Sequence, residues 1–207
     1  TFKLRQGVKF HDGTDFDAEA VKFNLDRVRD PDLKSIRAAE IGTLDKAEVV
    51  DAHTIKLTLK SPFAAFLYPL ADMAGCIGSP TAMKKWGPAD YQFHPVGTGP
   101  FKFVSYTKDQ NTTLEKNPSY WEKDATGTQL PYLDGVVYKP IPDGTQRLTA
   151  LKTSTVDIIE IPPSKDIPTL KAGADLAYSE LPGLAYRYIQ LNVKRAPLDN
   201  VNIRQAI

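Results

Sequence analysis

The sequence predicts a mixed α/β fold of the α+β kind, with antiparallel hairpins first and strands alternating with short helices later. Three observations carry that expectation. Residues 1–29 read as strand, tight turn and helix. Residues 47–59 and 101–116 read as hairpins. Beyond Leu133, alternating segments are separated by helical ones, the order that implies an α/β layer with some parallel pairing.

Taken in order, Phe2 and Leu4 alternate with Thr1, Lys3 and Arg5, the two-residue period of a half-buried strand. Gly7 and Gly13 bracket a second short strand, Val8-Lys9-Phe10. Asp17 is placed to cap a helix by accepting from an orphan amide, with Glu19 in its first turn. Val21, Leu25 and Val28 share one helical face, Lys22, Asp26 and Arg29 point away, and Pro31 stops the run. In the first hairpin, Ile55, Leu57 and Leu59 alternate with Lys56, Thr58 and Lys60. Phe63, Phe66, Leu67 and Leu70 then follow at helical spacing. Ser79-Pro80 is a cap and first-turn pair for a helix that Gly87 ends.

Phe101 and Phe103 begin the second hairpin, which returns over residues 112–116 and closes at Asn117-Pro118-Ser119-Tyr120-Trp121. Residues 136–141 form a strand, and Asp143 with Gln146 makes a capping box for a helix carrying Leu148 and Leu151. Residues 156–161, 176–181 and 186–193 are expected to be strands, with a short helix over 164–171. Asn200 caps a last helix holding Val201, Ile203 and Ile207.

Four stretches in this order resemble the family 5 extracellular solute-binding proteins of ABC importers, the dipeptide, oligopeptide and nickel binders. They are LRQGVKFHDGTDFDAEAVKFNLDRV; the Pro95–Phe101 segment PVGTGPF with its hairpin and NPSYW; the helix-turn unit ending Val156-Asp157-Ile158; and YRYIQLNVKRAPLDNVNIRQAI. One departure is plain: the glycine usual after the helix is replaced around Thr153-Ser154, so a serine must take an uncomfortable turn or use another cap. The resemblance implies a type II periplasmic-binding-protein-like fold and a partial lobe I. Residues 1–125 would be its peripheral subdomain and 126–207 part of its core subdomain leading to the hinge. Both ends are abrupt, so a fragment of a longer protein is expected.

The resemblance further implies a monomer that binds a solute outside the cytoplasm, in the periplasm or at the cell surface, with a lipoprotein anchor possible. It would pass that solute to a membrane permease. Di- and oligopeptides are the first cargo class, with nickel chelates and oligosaccharides as alternatives, and no cofactor is implied. The late strand would run beside the ligand cleft, making Tyr186, Tyr188 and Asn192 candidate ligand-binding residues. The two tyrosines are two apart and share a face, which lines the cleft or packs into the core. Asn192 suits a strand end at a hinge.

Bulk composition narrows the alternatives. The chain has 207 residues and a formal net charge of +1, with 26 basic and 25 acidic residues interspersed. Nucleic acid and anionic membranes require clustered cations, so neither is an expected partner. No run of about 18 apolar residues is present to span a bilayer. Cys76 is the only cysteine, which rules out an intramolecular disulfide, and its small apolar neighbours suggest a buried, inert thiol.

Catalytic and metal chemistry finds little footing. His11, His53 and His94 are far apart and lack metal-ligand spacing; His11 reads as a turn residue and His53 as a solvated loop residue. Gly97 and Gly99 lead into Pro100 and a strand, not a helix, so they suggest a turn needing positive φ and not a phosphate cradle. A secreted hydrolase would need Cys76 or Ser79 paired with His94. Phe63, Phe66, Tyr68 and Trp86 are expected in the core by their periodicity.

Overall fold

The structure, a computed structural model, describes residues 1–181, 183 and 188–207. It divides into two compact units, Thr1–Pro140 and Ile141–Ile207.

The first unit is built on two antiparallel sheets. One has the order β1 (Phe2–Lys3), β3 (Thr54–Leu59), β2 (Leu44–Asp51), with Phe2 and Val49 flanking Ile55 from either side. The expected strand at Val8 reduces to a single bridge between Lys9 and Asp15, because the turn returns too soon for a ladder. Helix α1 (Ala18–Arg29) starts where Asp17 accepts from the Ala20 amide at 2.8 Å. It buries Val21, Leu25 and Val28 against Ile41, Leu44, Ala47 and Ile55. Each such large aliphatic side chain contributes about 1.5–3 kcal/mol on burial.

Asn24 lies on the same buried face. Its side chain donates to the Ala20 and Gly78 carbonyls and accepts from the Gly78 amide, tying α1 to the loop before the next long helix. The aromatic run divides: Phe66 is buried, but Phe63 and Tyr68 are 42% and 72% exposed. The expected core role therefore holds for Phe66 and fails for Phe63 and Tyr68. The reason is that the segment folds as a 3₁₀ turn followed by the four-residue α2 (Leu67–Leu70), too short to bury a continuous face.

Helix α3 (Pro80–Asp90) begins at Ser79, whose Oγ accepts from the Ala82 amide at 3.2 Å. Its regular part breaks at Gly87, where φ is +70°. Trp86 is half-buried and its ring stacks on His94 at 3.6 Å between centroids. The second sheet has the order β4 (Phe101–Thr107), β5 (Asn111–Lys116), β6 (Gly135–Tyr138). Phe103, Leu114 and Val136 are register partners across it. Because β6 completes this sheet, the chain through Pro140 packs with the first unit.

The second unit departs further from expectation. Helix α4 (Gly144–Lys152) is capped by Asp143, which accepts from Gln146 N–H at 2.8 Å. It ends with Ser154 at φ +55°, Ser154 N–H donating to Leu151 O and Thr155 N–H to Ala150 O, a Schellman closure with serine in the place that favours glycine. Helices α5 (Ile167–Ala172) and α6 (Val201–Gln205) follow, the latter capped by Asn200. Residues 156–161, 176–181 and the described part of 186–193 join no ladder. All ladders among the described residues are antiparallel, so the expected parallel pairing is not formed. An alternating pattern supplies a face for a strand, but not the neighbouring edge that its amides and carbonyls need.

Candidate functional site

In the first unit the sequence motifs converge on one polar junction. Backbone His11 N–H donates to Gly97 O at 2.8 Å. The imidazole Nε2 meets Gly99 O at 3.0 Å, and Gly97 N–H donates to Nδ1 at 3.4 Å. That pair of partners specifies the neutral ring with its proton on Nε2. Burial pushes the His11 pKa below its ordinary value and Lys102 adds to this, while the Gly99 contact and Asp12 oppose it.

Next to it, Ser79 Oγ donates to Asp12 Oδ2 at 2.5 Å. Partial burial raises the Asp12 pKa, but the Ser79 and Thr14 hydroxyls outweigh that and hold it below the usual carboxylate range. Asn117 Nδ2 also donates to Gly99 O, at 3.0 Å, and the Arg5 guanidinium lies 4.0 Å over the Trp121 ring. The DGT turn, the helix cap, the GTG loop and the NPSYW loop are thus fastened together.

This junction corrects several expectations. Gly97 and Gly99 do not have positive φ, and a Cβ at either meets nothing within 4 Å; what the loop supplies is carbonyls that accept from His11 and Asn117. His11 is more than a turn residue. His53 is half-buried, less exposed than a free loop residue, because its carbonyl takes the Leu4 amide at 2.7 Å and draws the loop against β1. Cys76 is exposed and not buried: it leaves a short 3₁₀ turn in extended conformation. Ser79 is fully buried, and its hydroxyl is engaged by a carboxylate and an amide, leaving no Ser–His pair for acyl chemistry. Among the described residues no group of three His, Cys, Asp or Glu could hold a metal ion, and no helix is long and apolar enough to cross a membrane.

The second unit holds a concavity of about 740 Å³ between residues 157–162 and 176–181. Leu151, Ile158, Leu170 and Leu176 give it apolar walls, and Asp157 and Glu160 add negative charge. Tyr178 lines it beside Lys171, whose ammonium lies 5.1 Å over the ring and pairs with Glu180 at 2.5 Å. Glu180 holds the Lys171 pKa above its ordinary value, and the lysine holds Glu180 below its own. Arg147 donates to the carbonyls of Ile141, Pro142 and Ile161, fixing one rim. Such a cleft can enclose a small solute; it presents no nucleophile with a base beside it.

Of the residues singled out in the sequence, Tyr186 lies outside those described. Tyr188 is 69% exposed. Asn192 Oδ1 accepts from Lys194 N–H at 3.1 Å and its carbonyl from Arg195 N–H at 3.1 Å, a turn of the kind its side chain favours. Neither Tyr188 nor Asn192 lines the 740 Å³ cleft. Tyr178 was missed because its stretch read as an ordinary strand.

The sequence profile of the bacterial extracellular solute-binding proteins, family 5, middle region, matches residues 1–207. The chain belongs to this family. A relative, the glutathione-binding protein GsiB of Pectobacterium atrosepticum, is 40% identical over 207 residues, which is 100% of this chain and 39% of that protein. The binding protein AgaA of A. tumefaciens R10, solved with agropinic acid, is 36% identical with a TM-score of 0.75, over 84% of this chain and 34% of its own. A dipeptide-binding protein from Pseudoalteromonas sp. SM9913, solved with Met-Leu, is 26% identical with a TM-score of 0.77, over 99% of this chain and 43% of its own. The chain therefore spans about two fifths of the length of GsiB and of the dipeptide-binding protein. Solute-binding proteins, not enzymes, are what it resembles throughout.

Proposed function

We propose that the full-length protein is the substrate-binding component of an ABC importer, capturing small peptides outside the cytoplasm and delivering them to a membrane permease. The observation that carries this reading is the unbroken match of residues 1–207 to family 5, together with 40% identity across the whole chain to a glutathione-binding protein. Glutathione, Met-Leu and agropinic acid, the ligands named for the three relatives, all bear carboxylates. A short peptide with a free carboxylate, glutathione among them, is thus the first cargo to test. Residues 1–125 would form the peripheral subdomain of lobe I and 126–207 part of its core, with Tyr186, Tyr188 and Asn192 beside the ligand. Hinge closure would exclude water, so that few polar contacts suffice to hold the cargo. The protein would act as a monomer in the periplasm or at the cell surface.

Native mass spectrometry of the full-length protein, purified without denaturation, tests this. Co-purified peptide, with a saturable thermal shift from glutathione or Met-Leu, is the expected result. A shift from nickel–histidine or an oligosaccharide alone would move the cargo to that class. No retained solute and no shift from any of them would end the peptide reading.

A further inference from the structure

The first unit contains a second cavity, about 350 Å³, between the last turn of α1, residues 73–78, Tyr91 and the Phe101 and Phe103 side of β4. Its walls are apolar, with Met73, Ile77 and Met83 prominent, and no Asp or Glu lines it. Arg27 brings a permanent charge to this lining, and its Nε is buried with no acceptor in reach. The neighbouring charges of the helix are matched: Lys22 and Arg29 both pair with Asp26, and Arg29 also donates to Asp45 O. The Tyr91 and His11 side chains of the cavity are already engaged. Tyr91 OH donates to Val96 O and accepts from Val96 N–H, and both His11 nitrogens have partners.

A buried Arg27 Nε–H without an acceptor, on a lining otherwise largely apolar, is an incomplete arrangement, since buried donors in folded proteins are paired. We propose that this cavity binds a small carboxylate with an apolar body, Arg27 holding the carboxylate and Met73, Ile77 and Met83 packing the chain. One Arg matches one carboxylate in charge and fork geometry. A phosphate dianion would be left half-compensated among apolar walls. The volume lies in the range of small-molecule sites, and unbranched methionines adapt to varied chains. This site is separate from the cargo reading and stands or falls without it.

Cys76, exposed and lining the same cavity, supplies the reporter. In the full-length protein, labelling of Cys76 by a disulfide reagent, located by peptide mass mapping, is followed against hexanoate, hexan-1-ol and hexylamine. Hexanoate is expected to slow labelling saturably and the other two not. Arg27→Met should weaken the hexanoate effect by about tenfold or more, the loss of one charge-assisted pair, while Arg27→Lys keeps part of it. If Arg27→Met does not fold, Ile77→Trp, which fills the cavity from its wall, must abolish protection. Absence of saturable protection overturns the proposal, as does equal protection by hexan-1-ol. So does an unchanged hexanoate constant in a folded Arg27→Met or Ile77→Trp protein.

Discussion

Removing the His11 side chain should loosen the first unit in a pH-dependent way. His11→Ala deletes the contact to Gly99 O at 3.0 Å and the longer one from Gly97 N–H at 3.4 Å. A net hydrogen bond contributes about 1 kcal/mol, and the long one less. Gly99 O keeps Asn117 as a donor, so no carbonyl is orphaned there. The expected cost at pH 7.5 is therefore about 1–2 kcal/mol, a shift of about 0.5–1 M in the urea midpoint for an m-value of about 2 kcal/mol/M.

The sign of the pH effect follows from the depressed pKa of the folded state. His11 ordinarily titrates near 6.5, and burial lowers this in the fold. Between the two values the unfolded chain binds the extra proton, so stability falls with falling pH in that window. The His11 contribution is complete above 6.5 and is lost as pH drops through the lower folded value, where a protonated Nδ1 would face the Gly97 amide donor to donor. Urea unfolding from pH 7.5 to 5, with hydrogen exchange at the Gly97 amide, measures both. Identical midpoints for wild type and His11→Ala at pH 7.5, or Gly97 protection that does not fall with acid after correction for intrinsic exchange, would refute the reasoning.

Ser154→Gly should raise stability by about 0.5–1 kcal/mol, because it relieves the left-handed strain of a non-glycine at φ +55° by more than it adds in chain entropy; thermal unfolding reads it. Asn24→Ala should cost about 2–4 kcal/mol, since it strands both the amide and the carbonyl of Gly78 in the interior; urea unfolding is the measurement. The exposed Asp124 carboxylate accepts from Tyr132 OH, the Thr126 hydroxyl and two backbone amides, which together lower its pKa to about 2. Its hold on the 124–132 loop should persist above the ordinary carboxylate value and fade only as pH falls toward 2. Tyr132→Phe should move the Asp124 titration upward in an NMR pH series. If Tyr188 stands beside the cargo as proposed, Tyr188→Ala should weaken cargo binding in calorimetry.

Local signals were legible wherever one residue and its near neighbours decide the outcome. Asp17, Ser79, Asp143 and Asn200 all cap as their spacing implies, and the strain expected near Thr153-Ser154 appears as positive φ at Ser154. The His11 junction was not legible, because its partners lie 86 and 88 residues away and are backbone atoms of glycines, which carry no side-chain signature. Asn24 could have been found: it sits three residues after Val21 and four before Val28, a polar group on the buried stripe that must have specific partners.

The late segments fail for a different reason, and it bears on how a cleft of this kind is made. Residues 156–161 alternate as a strand should, yet Ile158 is 82% exposed and Ile161 takes φ +53°, a conformation costly for a β-branched side chain. Arg147 holds that conformation by donating to Ile161 O, while Pro162 and Pro163 remove the next two amides from any ladder. The segment is thus turned out of the extended line just where it borders the 740 Å³ cleft. Pattern alone would close this space by pairing residues 156–161 with 176–181. Arg147 anchors the turned-out backbone at Ile161 on one side of that space, and Arg147→Leu should let the two segments approach, reducing labelling of the cleft by an apolar dye. Unchanged dye uptake in a folded Arg147→Leu protein would show that the prolines suffice without it.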